Sequence, residues 1–576
     1  MIKVFNSGYL ISLLLFLAGS IGSLCDGIIA SYGLGVAELA AIGIVYPYTK
    51  AMECISLMFS SGSQVIIGKK IGQSRFDEVS KVFYTSLVSA AVLSVFIAAL
   101  MILFASPVSR LFGAGTEETL RPTADYLVSL ALGAPAHLLT LYLIPLFQLD
   151  GKKKLINVAT VVMTVVNVAL NIIFVLNDMG IKGIGYSTSI SYYIALIILS
   201  THFFGKKHGI LLKGRFAVSR NYLLQTVKEG APFAFKNVTS IIFNIFVNNI
   251  LAMTGSTEAM AAFSVFKMTK FIFLSVSEAI INPVRMIQSM LLEERDYKTL
   301  KRIFRHSMMM GTGFSGLLCL LLLVFGRKAY SFMVSGAVLE ETMALMYWSI
   351  IVYILNTIVC YYLAYFQAIN KLRLVYSISV VLNIGTLPVF YLLARAFGST
   401  GVWIGFAVQF VIISAYVLIC ACIVGRKNKG LINKLLALPP LDNQNCKTYD
   451  FHIESADDAG EAATDFYEIC RSNIVDTKKA YYFSLSLEEI VFNILEYQRS
   501  VNEPDPNIDV HIVMIGNERM IMRVKDCSNE RDPFVKYEYN TTDDKIKNVG
   551  IRIIKSLADD VQYSFIYGVN FLTIKI

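Results

Sequence analysis

The sequence has little charge and lacks the common patterns of metal and disulfide sites. Only 16% of its 576 residues are charged, against roughly 25% in soluble domains. Its nine cysteines form no Cys-x-x-Cys pair and no histidine spacing suits zinc, so we expect reduced thiols without a bridge or metal. A Gly-x-x-x-x-Gly-Lys loop is absent, which argues against direct ATP-powered pumping. Hydrophobic residues make up 55% and the mean hydropathy is +0.59, which predicts a membrane-embedded part.

The long apolar runs stop near residue 425. The last one ends at Val424 and is followed by a basic segment, Gly425–Gly430, and then by polar, alternating sequence. This change of character predicts two membrane lobes, a linker and a compact soluble domain. The predicted bounds are 1–215 and 216–428 for the two lobes, 429–446 for the linker and 447–576 for the soluble domain.

About twelve runs before this break reach the roughly 20 apolar residues that a spanning helix needs. They begin near residues 8, 39, 81, 124, 155, 182, 222, 259, 303, 340, 374 and 401. Basic residues cluster in alternate loops, such as Lys152–Lys154, so the net charge of +9 points to oriented membrane helices and not to nucleic acid. We predict a multi-pass protein of the cytoplasmic membrane, with both termini in the cytoplasm and the first apolar run retained.

The two halves of the membrane part resemble each other. The segment Phe147–Leu155 recurs as Phe366–Leu374, at an offset of 219 (366 − 147), and Gly183 recurs as Gly401, at an offset of 218 (401 − 183). Parallel repeats of six helices place a substrate cleft between two bundles that can rock against each other. The repeat therefore predicts alternating access.

Several of these segments resemble the multidrug and toxic compound extrusion (MATE) family. They are Cys25–Gly43, Pro47, Gly68–Gly72 and the segments around Gln148 and Gln367. The resemblance is distributed over roughly residues 5–425. It implies two six-helix lobes and antiport of an organic solute against Na⁺ or H⁺.

Asp26 lies in the middle of the first span between apolar neighbours. An ionised carboxylate is costly there, so this residue is expected to be protonated, ion-bound or exposed to a water-filled cavity. Its pKa should respond to hydration. The resemblance implies that Asp26 is the ion-coupling residue, while a structural hydrogen bond is the alternative. The family's acidic residue of the seventh helix falls near Ser240, which is not acidic.

Six further charged residues fall within spans that line the central cleft in the family. They are Lys50, Glu53, Lys236, Lys267, Lys270 and Glu278. Several lysines at one cleft attract an anion, which predicts an anionic or zwitterionic solute such as a phosphorylated lipid or metabolite. The alternative is that the lysines extend to the interface or pair with the two glutamates.

The soluble tail is predicted to be an α+β sandwich of about 130 residues, enough for its own core. A capping box at Ser486–Glu489 is expected to open a helix. The other predicted elements are a strand at 450–453, a helix at 457–470, strands at 508–515 and 520–524, a helix near Gly550, and a hairpin of 561–566 with 570–575.

Four residues of the tail suit nucleotide chemistry. Glu489 and Asn493 stand one helical turn apart, so the amide can bind Mg²⁺ while the carboxylate serves as a base. Asp526, at a strand end, can accept a hydrogen bond from the amino group of adenine. Gly550 opens a helix whose terminal amides favour phosphate.

The tail resembles the histidine-kinase-like ATP-binding fold, most closely its anti-sigma-factor serine kinase branch. The segments that carry the resemblance are Asp526–Phe534, Asn548–Asp559 and Phe571–Thr573. The adenine box departs from the family at Ser528, where a glycine is usual. No histidine-bearing dimerisation helix precedes the domain.

This second resemblance implies a role for each residue and binding of Mg-ATP. Glu489 would be the catalytic base, Asn493 the Mg²⁺ ligand, and Asp526 the adenine contact, helped by Thr573. Gly550 would allow the phosphates to approach the backbone. Whether the domain turns ATP over as a serine/threonine kinase or only binds it stays open.

Together these features predict an ion-coupled antiporter in the lipid bilayer with a cytoplasmic ATP-binding domain. Its partners would be a small organic solute, a cytoplasmic protein substrate of the tail and, as in many kinases of this branch, a second copy of the chain. Two alternatives remain. One is a membrane-anchored serine/threonine kinase that uses the transporter body as a receptor, and the other is a lipid or oligosaccharide flippase.

Overall fold

The computed structural model describes most of the chain. The described residues are 1–33, 36–112, 117–204, 209–253, 257–331, 334–438, 446–473, 477–500, 508–515, 519–528, 530, 556, 558–566 and 568–575. Within these ranges the side chains of some residues, among them Asp26, lie outside the described part.

The first half of the membrane part is helical throughout its described residues, with short turns between the helices. The helices are α1 (Ile2–Gly33), α2 (Val36–Gly72), α3 (Phe76–Leu103), α4 (Ala105–Phe112), α5 (Glu117–Leu132), α6 (Ala134–Phe147), α7 (Lys153–Leu176) and α8 (Gly180–Ser200). Gly133 separates α5 from α6, which meet at a bend of 50°. Helices that are apolar on all sides are typical of membrane spans.

The second half is also built of long helices. Its helices are α9 (Arg220–Met253), α10 (Thr257–Glu278), α11 (Ile281–Glu294), α12 (Tyr297–Ser331), α13 (Gly336–Ala368), α14 (Leu372–Val380) and α15 (Leu387–Val424). A π-helical turn, Val381–Gly385, joins α14 to α15. The α15 backbone is broken at Gly398, where φ is 61° and ψ is −138°.

Among the described residues, eight helices are long and apolar enough to cross a membrane, or nine if the bent pair counts as one. One of the eight candidates, Leu372–Val424, has 53 residues and would be about 80 Å long if straight. The hydrocarbon core is about 30 Å thick, so the break at Gly398 fits two crossings. Helices begin near or contain all twelve predicted starts, but the count of twelve crossings stays a prediction.

Turns of the same conformation recur in the two halves. Gly151 (φ 67°) follows α6 and Asn370 (φ 61°) follows α13, at an offset of 219 (370 − 151). Ser74 (φ 57°) follows α2 and Arg295 (φ 61°) follows α11, at an offset of 221 (295 − 74). The left-handed conformation is uncommon for residues other than glycine, so its recurrence at a nearly constant spacing supports the predicted repeat.

Part of the predicted linker is folded. A short helix, α16 (Leu431–Leu435), follows α15, and the Tyr362 hydroxyl of α13 donates to the Leu435 carbonyl at 3.2 Å. Leu436 and Leu438 are buried in the same core as the membrane helices. Residues 439–445 of the linker lie outside the described part.

The described residues of the tail form a five-stranded antiparallel sheet with two helices. Its elements are β1 (Cys446–Ile453), α17 (Ala456–Asn473), α18 (Thr477–Ser500), β2 (Ile508–Ile515), β3 (Arg519–Asp526), β4 (Asp560–Ile566) and β5 (Val569–Lys575), and the strand order is β1-β2-β3-β5-β4. The predicted strands and the first helix are therefore confirmed. The predicted capping box is wrong: Ser486 lies inside α18, where its hydroxyl donates to the Tyr482 carbonyl. The helix predicted near Gly550 lies outside the described residues.

The two faces of this sheet have different partners. Side chains alternate between the faces of a strand, and Val524 and Leu572 pack with α17 and α18 in one apolar core. Phe571, on the other face, belongs to the apolar core of the membrane part. The sheet is thus packed against the ends of the membrane helices, and we call that end of the molecule the tail side.

Candidate functional site

Helices from the two halves touch backbone to backbone on the tail side. A Cβ atom at Gly230 of α9 would lie 1.9 Å from the Met58 carbonyl oxygen of α2, and one at Gly62 would lie 2.0 Å from the Thr226 carbonyl oxygen. Only glycine has no Cβ, so these positions allow α2 and α9 to pack without a gap. The contact forms a seal between the halves.

A buried arginine adds polar contacts to this seal. Arg285 of α11 is 1% exposed and donates to Gln64 of α2 at 2.6 Å and to Gln367 of α13 at 2.9 Å. Lys69 of α2 pairs with Glu229 of α9 at 3.2 Å. Sequence reasoning missed Arg285, although an arginine within an apolar helix is itself the signal of a functional or structural polar site.

Beyond the seal, lysines from both halves converge on one aromatic ring. Lys50 Nζ lies 5.5 Å from the centre of the Phe271 ring and Lys270 Nζ lies 5.3 Å from it. Lys50 also pairs with Glu53 at 2.6 Å, and Glu278 acts electrostatically on both lysines. The structure therefore brings together four of the six predicted cavity residues.

The other two predicted lysines lie near aromatic rings of the second half. Lys267 Nζ is 4.8 Å from the centre of the Phe263 ring and 3.4 Å from Asn248 Oδ1. Lys236 Nζ is 5.7 Å from the centre of the Phe233 ring. Among the side chains that the structure describes, four lysines against two glutamates leave this region with an excess of positive charge.

Two of the nucleotide-binding residues predicted in the tail, Asn493 and Asp526, line a pocket between α18 and the sheet. The pocket is lined by Asn493, Ile494, Tyr497, Val524, Asp526, Ser528, Tyr563, Asn570 and Leu572. Asn493 comes from α18 and Asp526 from the end of β3, so elements far apart in sequence bring these two residues together. A buried carboxylate beside an amide and two tyrosines suits a purine that offers an amino group.

Asp526 is held by a small polar network. It is 5% exposed, and its Oδ1 accepts hydrogen bonds from the Ser528 amide at 2.9 Å and from Asn570 Nδ2 at 3.0 Å. The Ser528 hydroxyl also donates to Oδ1, and Tyr563 donates to Asn570 Oδ1 at 2.6 Å. Ser528, which departs from the family pattern, thus orients the Asp526 carboxylate. Asn570 is a site residue that sequence reasoning missed.

The structure does not bring Thr573 to this pocket. Thr573 is paired with Arg523 across β5 and β3, whereas Asp526 is paired with Asn570. Because side chains alternate along a strand, Thr573 shares a face with Phe571, on the side of the membrane helices. Asn570 occupies the place next to Asp526 that was predicted for Thr573. The predicted phosphate-binding residue Gly550 lies outside the described residues.

Glu489 and Asn493 share a face of α18 as predicted. Asn493 Nδ2 donates to the Glu489 carbonyl oxygen at 2.9 Å. Burial, and then the charge of Glu488, raise the pKa of the Glu489 carboxyl above its ordinary value. A raised pKa suits a general base that must act near neutrality.

Comparison with known families separates the chain into the same two parts. The MatE family model matches residues 12–173 and 232–392, which together are more than half of the chain. A second model, the histidine kinase-like ATPase domain, matches residues 454–573.

Two curated proteins of Bacillus subtilis (strain 168) are similar to part of this chain. The probable multidrug resistance protein YoeA is 23% identical over 322 residues, which cover 54% of this chain and 69% of that protein. The uncharacterized transporter YisQ is 24% identical over 248 residues, which cover 41% of this chain and 53% of that protein.

Solved transporters share the fold of the membrane part. An outward-facing MATE transporter of the MOP superfamily has a TM-score of 0.68 at 18% identity and covers 72% of this chain and 93% of its own. A MOP superfamily transporter from Pyrococcus furiosus, described as having a reverse polarity of its binding pocket, has a TM-score of 0.66 at 18% identity with the same coverage. The chain belongs to the MatE family of transporters and carries a histidine kinase-like ATPase domain after its second half.

Proposed function

We propose that this protein is an ion-coupled antiporter that moves an organic solute across the cytoplasmic membrane, with Na⁺ or H⁺ as the coupling ion. The contact of α2 with α9 carries this proposal, because a seal between two repeated halves is what rocking bundles open and close. The basic loops favour a cytoplasmic location for the tail side. Solute would reach the lysine-lined region from the opposite side while this seal is closed.

Asp26→Asn is expected to abolish ion-coupled transport. The amide keeps the size of the side chain but cannot take up or release a proton and carries no negative charge to balance Na⁺, so an imposed ion gradient would no longer drive solute. Proteoliposomes with an imposed H⁺ or Na⁺ gradient measure this directly. Glu340→Gln, at an exposed acidic residue, is the control and should transport at the parental rate. Undiminished gradient-driven exchange by Asp26→Asn would disprove the coupling role.

We further propose that the solute is anionic or zwitterionic. The support is the excess of lysine near Phe271, where one lysine from each half lies close to the same ring, at 5.5 Å and 5.3 Å from its centre. A cationic solute would meet like charge in this region. The similar Pyrococcus furiosus transporter with a reverse polarity of its pocket makes a change of solute charge within this fold reasonable. A flippase for anionic lipids is included in this proposal.

Lys270→Ala is expected to weaken binding of a fluorescent organic anion about tenfold, the equivalent of roughly 1.4 kcal/mol. Binding of a matched organic cation should be unchanged or stronger. Fluorescence titration of the purified protein measures both affinities. Lys328→Ala, an exposed residue near the end of α12, is the control. Cation binding that is strong in the parent and insensitive to Lys270→Ala would contradict the anionic assignment.

For the tail we propose regulatory binding of Mg-ATP. The described residues fit this group: Asp526 would contact adenine, and the Asn493 amide would hold Mg²⁺. Gly550 would lie near the phosphates. When bound, ATP supplies a phosphoryl group as well as a signal of nucleotide supply. The packing of the sheet against the membrane helices favours regulation, because it joins the nucleotide-binding domain to the transporter body.

A serine/threonine kinase role would use Glu489 as its base, which the raised pKa of this carboxyl favours. The two roles differ in ATP consumption. A kinase consumes ATP in the presence of its protein substrate, and Glu489→Gln would stop this consumption, whereas regulation by binding alone consumes none.

A further inference from the structure

Three basic side chains of the tail are buried against the membrane part. His511 on β2 and Arg523 and Lys525 on β3 are 3–4% exposed and share the face of the sheet that lies away from α17 and α18. Charged side chains are rarely buried this fully unless they are paired. Their partners therefore show what this surface is built to contact.

Lys525 and His511 both contact the second half, and His511 Nδ1 also lies 2.6 Å from Asp450 Oδ1 of β1 within the tail. Lys525 Nζ lies 2.5 Å from Glu294 Oε2 and 4.0 Å from Asp296 Oδ2, at the turn between α11 and α12. His511 Nε2 lies 3.0 Å from the Glu294 carbonyl oxygen. Burial alone would raise the pKa of Asp296, but Lys525, His511 and the hydrogen bonds from Thr299 together lower this pKa below its ordinary value. The ion pair is thus favourable for the folded arrangement.

Arg523 instead contacts the first half. Its Nη2 donates to the Gly72 carbonyl oxygen at 3.1 Å, at the end of α2, where a cation also meets the negative end of the helix dipole. A second contact involves the turn between β4 and β5, where Gly568 packs against Gly151 of the first half. A Cβ atom added at Gly151 would lie only 3.3 Å from the Gly568 amide nitrogen. One sheet therefore holds the tail-side ends of both halves.

We infer that the face of the tail sheet that carries His511, Arg523 and Lys525 is a clamp that holds the two halves together at the seal. The inference rests on the proposed rocking of the halves. Gly72 and Glu294 end the two helices, α2 and α11, whose tail-side ends must separate when the seal opens. A hydrogen-bonded sheet anchored to both ends resists this separation, so at least one anchor, Lys525 on the second half or Arg523 on the first, must release when the seal opens.

Cross-linking across the seal tests the clamp in the full chain. The Gln73 and Glu293 side chains, one from each half, are hydrogen bonded at 3.1 Å and exposed. In a Cys527→Ser background, Gln73→Cys with Glu293→Cys should form a disulfide rapidly on oxidation. Adding Lys525→Glu should slow this reaction at least fivefold, because it places a third carboxylate beside Glu294 and Asp296.

Two matched variants decide the result. Arg471→Glu reverses an exposed charge on α17 and should leave the cross-linking rate unchanged. The exchange Lys525→Glu with Glu294→Lys should restore at least half of the parental rate. Parental cross-linking in Lys525→Glu, or no restoration by the exchange, would overturn the clamp. Thermal stabilisation of the same proteins by Mg-ATP is a separate measurement that reports on the nucleotide site. Absence of this stabilisation would count against the proposed binding of Mg-ATP and not against the clamp.

Discussion

Asp526→Ala is expected to remove about half or more of the stabilisation that Mg-ATP gives to the protein. At a nucleotide concentration of 100 times Kd, the parent protein should gain about 2.7 kcal/mol of stability from binding. The substitution removes the carboxylate that Ser528 and Asn570 hold in place and that is proposed to accept a hydrogen bond from the adenine amino group. Hydrogen bonds to charged groups are worth roughly 1.5–3 kcal/mol. Binding should fall by about 10- to 100-fold. Thermal unfolding with and without Mg-ATP measures the effect.

The control for this experiment is Asp465→Ala. Asp465 is an exposed carboxylate on α17 and does not line the nucleotide pocket among the described residues. Its replacement should leave the shift with Mg-ATP at the parental size. If the parent protein shows no shift, or if Asp526→Ala keeps the full shift, the tail is not a nucleotide-binding domain of the proposed kind.

Gly230→Leu is expected to hold the seal open. Its Cβ would lie 1.9 Å from the Met58 carbonyl oxygen, and a backbone atom cannot turn aside as a side chain does. Overpacking typically costs about 1–3 kcal/mol of stability. Here only the closed state is expected to be destabilised, because the clash with Met58 exists only while α2 and α9 are in contact. A cysteine at Ser289, which is buried against Gly68 of α2, should then react at least about tenfold faster with a membrane-impermeant maleimide added from the tail side.

A second glycine gives the matched control for this substitution. At Gly313 of α12 a Cβ would meet no other atom within 4 Å among the described residues, so Gly313→Leu adds the same side chain without a clash. Labelling of Ser289→Cys should remain slow in this variant. Equal labelling rates in Gly230→Leu and Gly313→Leu would mean that the α2–α9 contact does not govern access.

The membrane part could be predicted well because its main signals are local. Apolar length, basic loops and the repeat of the two halves can all be found along the chain, and the helices follow them. The seal could not be predicted, since Gly62 and Gly230 look like ordinary helix glycines until their partners in the opposite half are known. Arg285 was missed for a similar reason: its partners Gln64 and Gln367 come from two other helices.

The tail shows where a family pattern fails to locate a side chain. Asn493 and Asp526 line one pocket, and Glu489 lies one turn from Asn493 on α18, because helix periodicity and strand ends fix their faces. Thr573 does not line this pocket, because its face depends on the register of β5 against β3, which pairs Asn570 with Asp526. The capping box failed because α18 begins at Thr477, more than two turns before Ser486, and tertiary packing overrides a local capping signal.

Lys525 and Asp526 are consecutive residues, and the pleat of β3 points one toward the membrane helices and the other toward the nucleotide pocket. A slip of β3 by one residue would exchange these directions. It would place a lysine where adenine is expected and an aspartate against Glu294 and Asp296. An insertion or deletion within this strand would therefore disturb both the nucleotide pocket and the contact with the membrane helices.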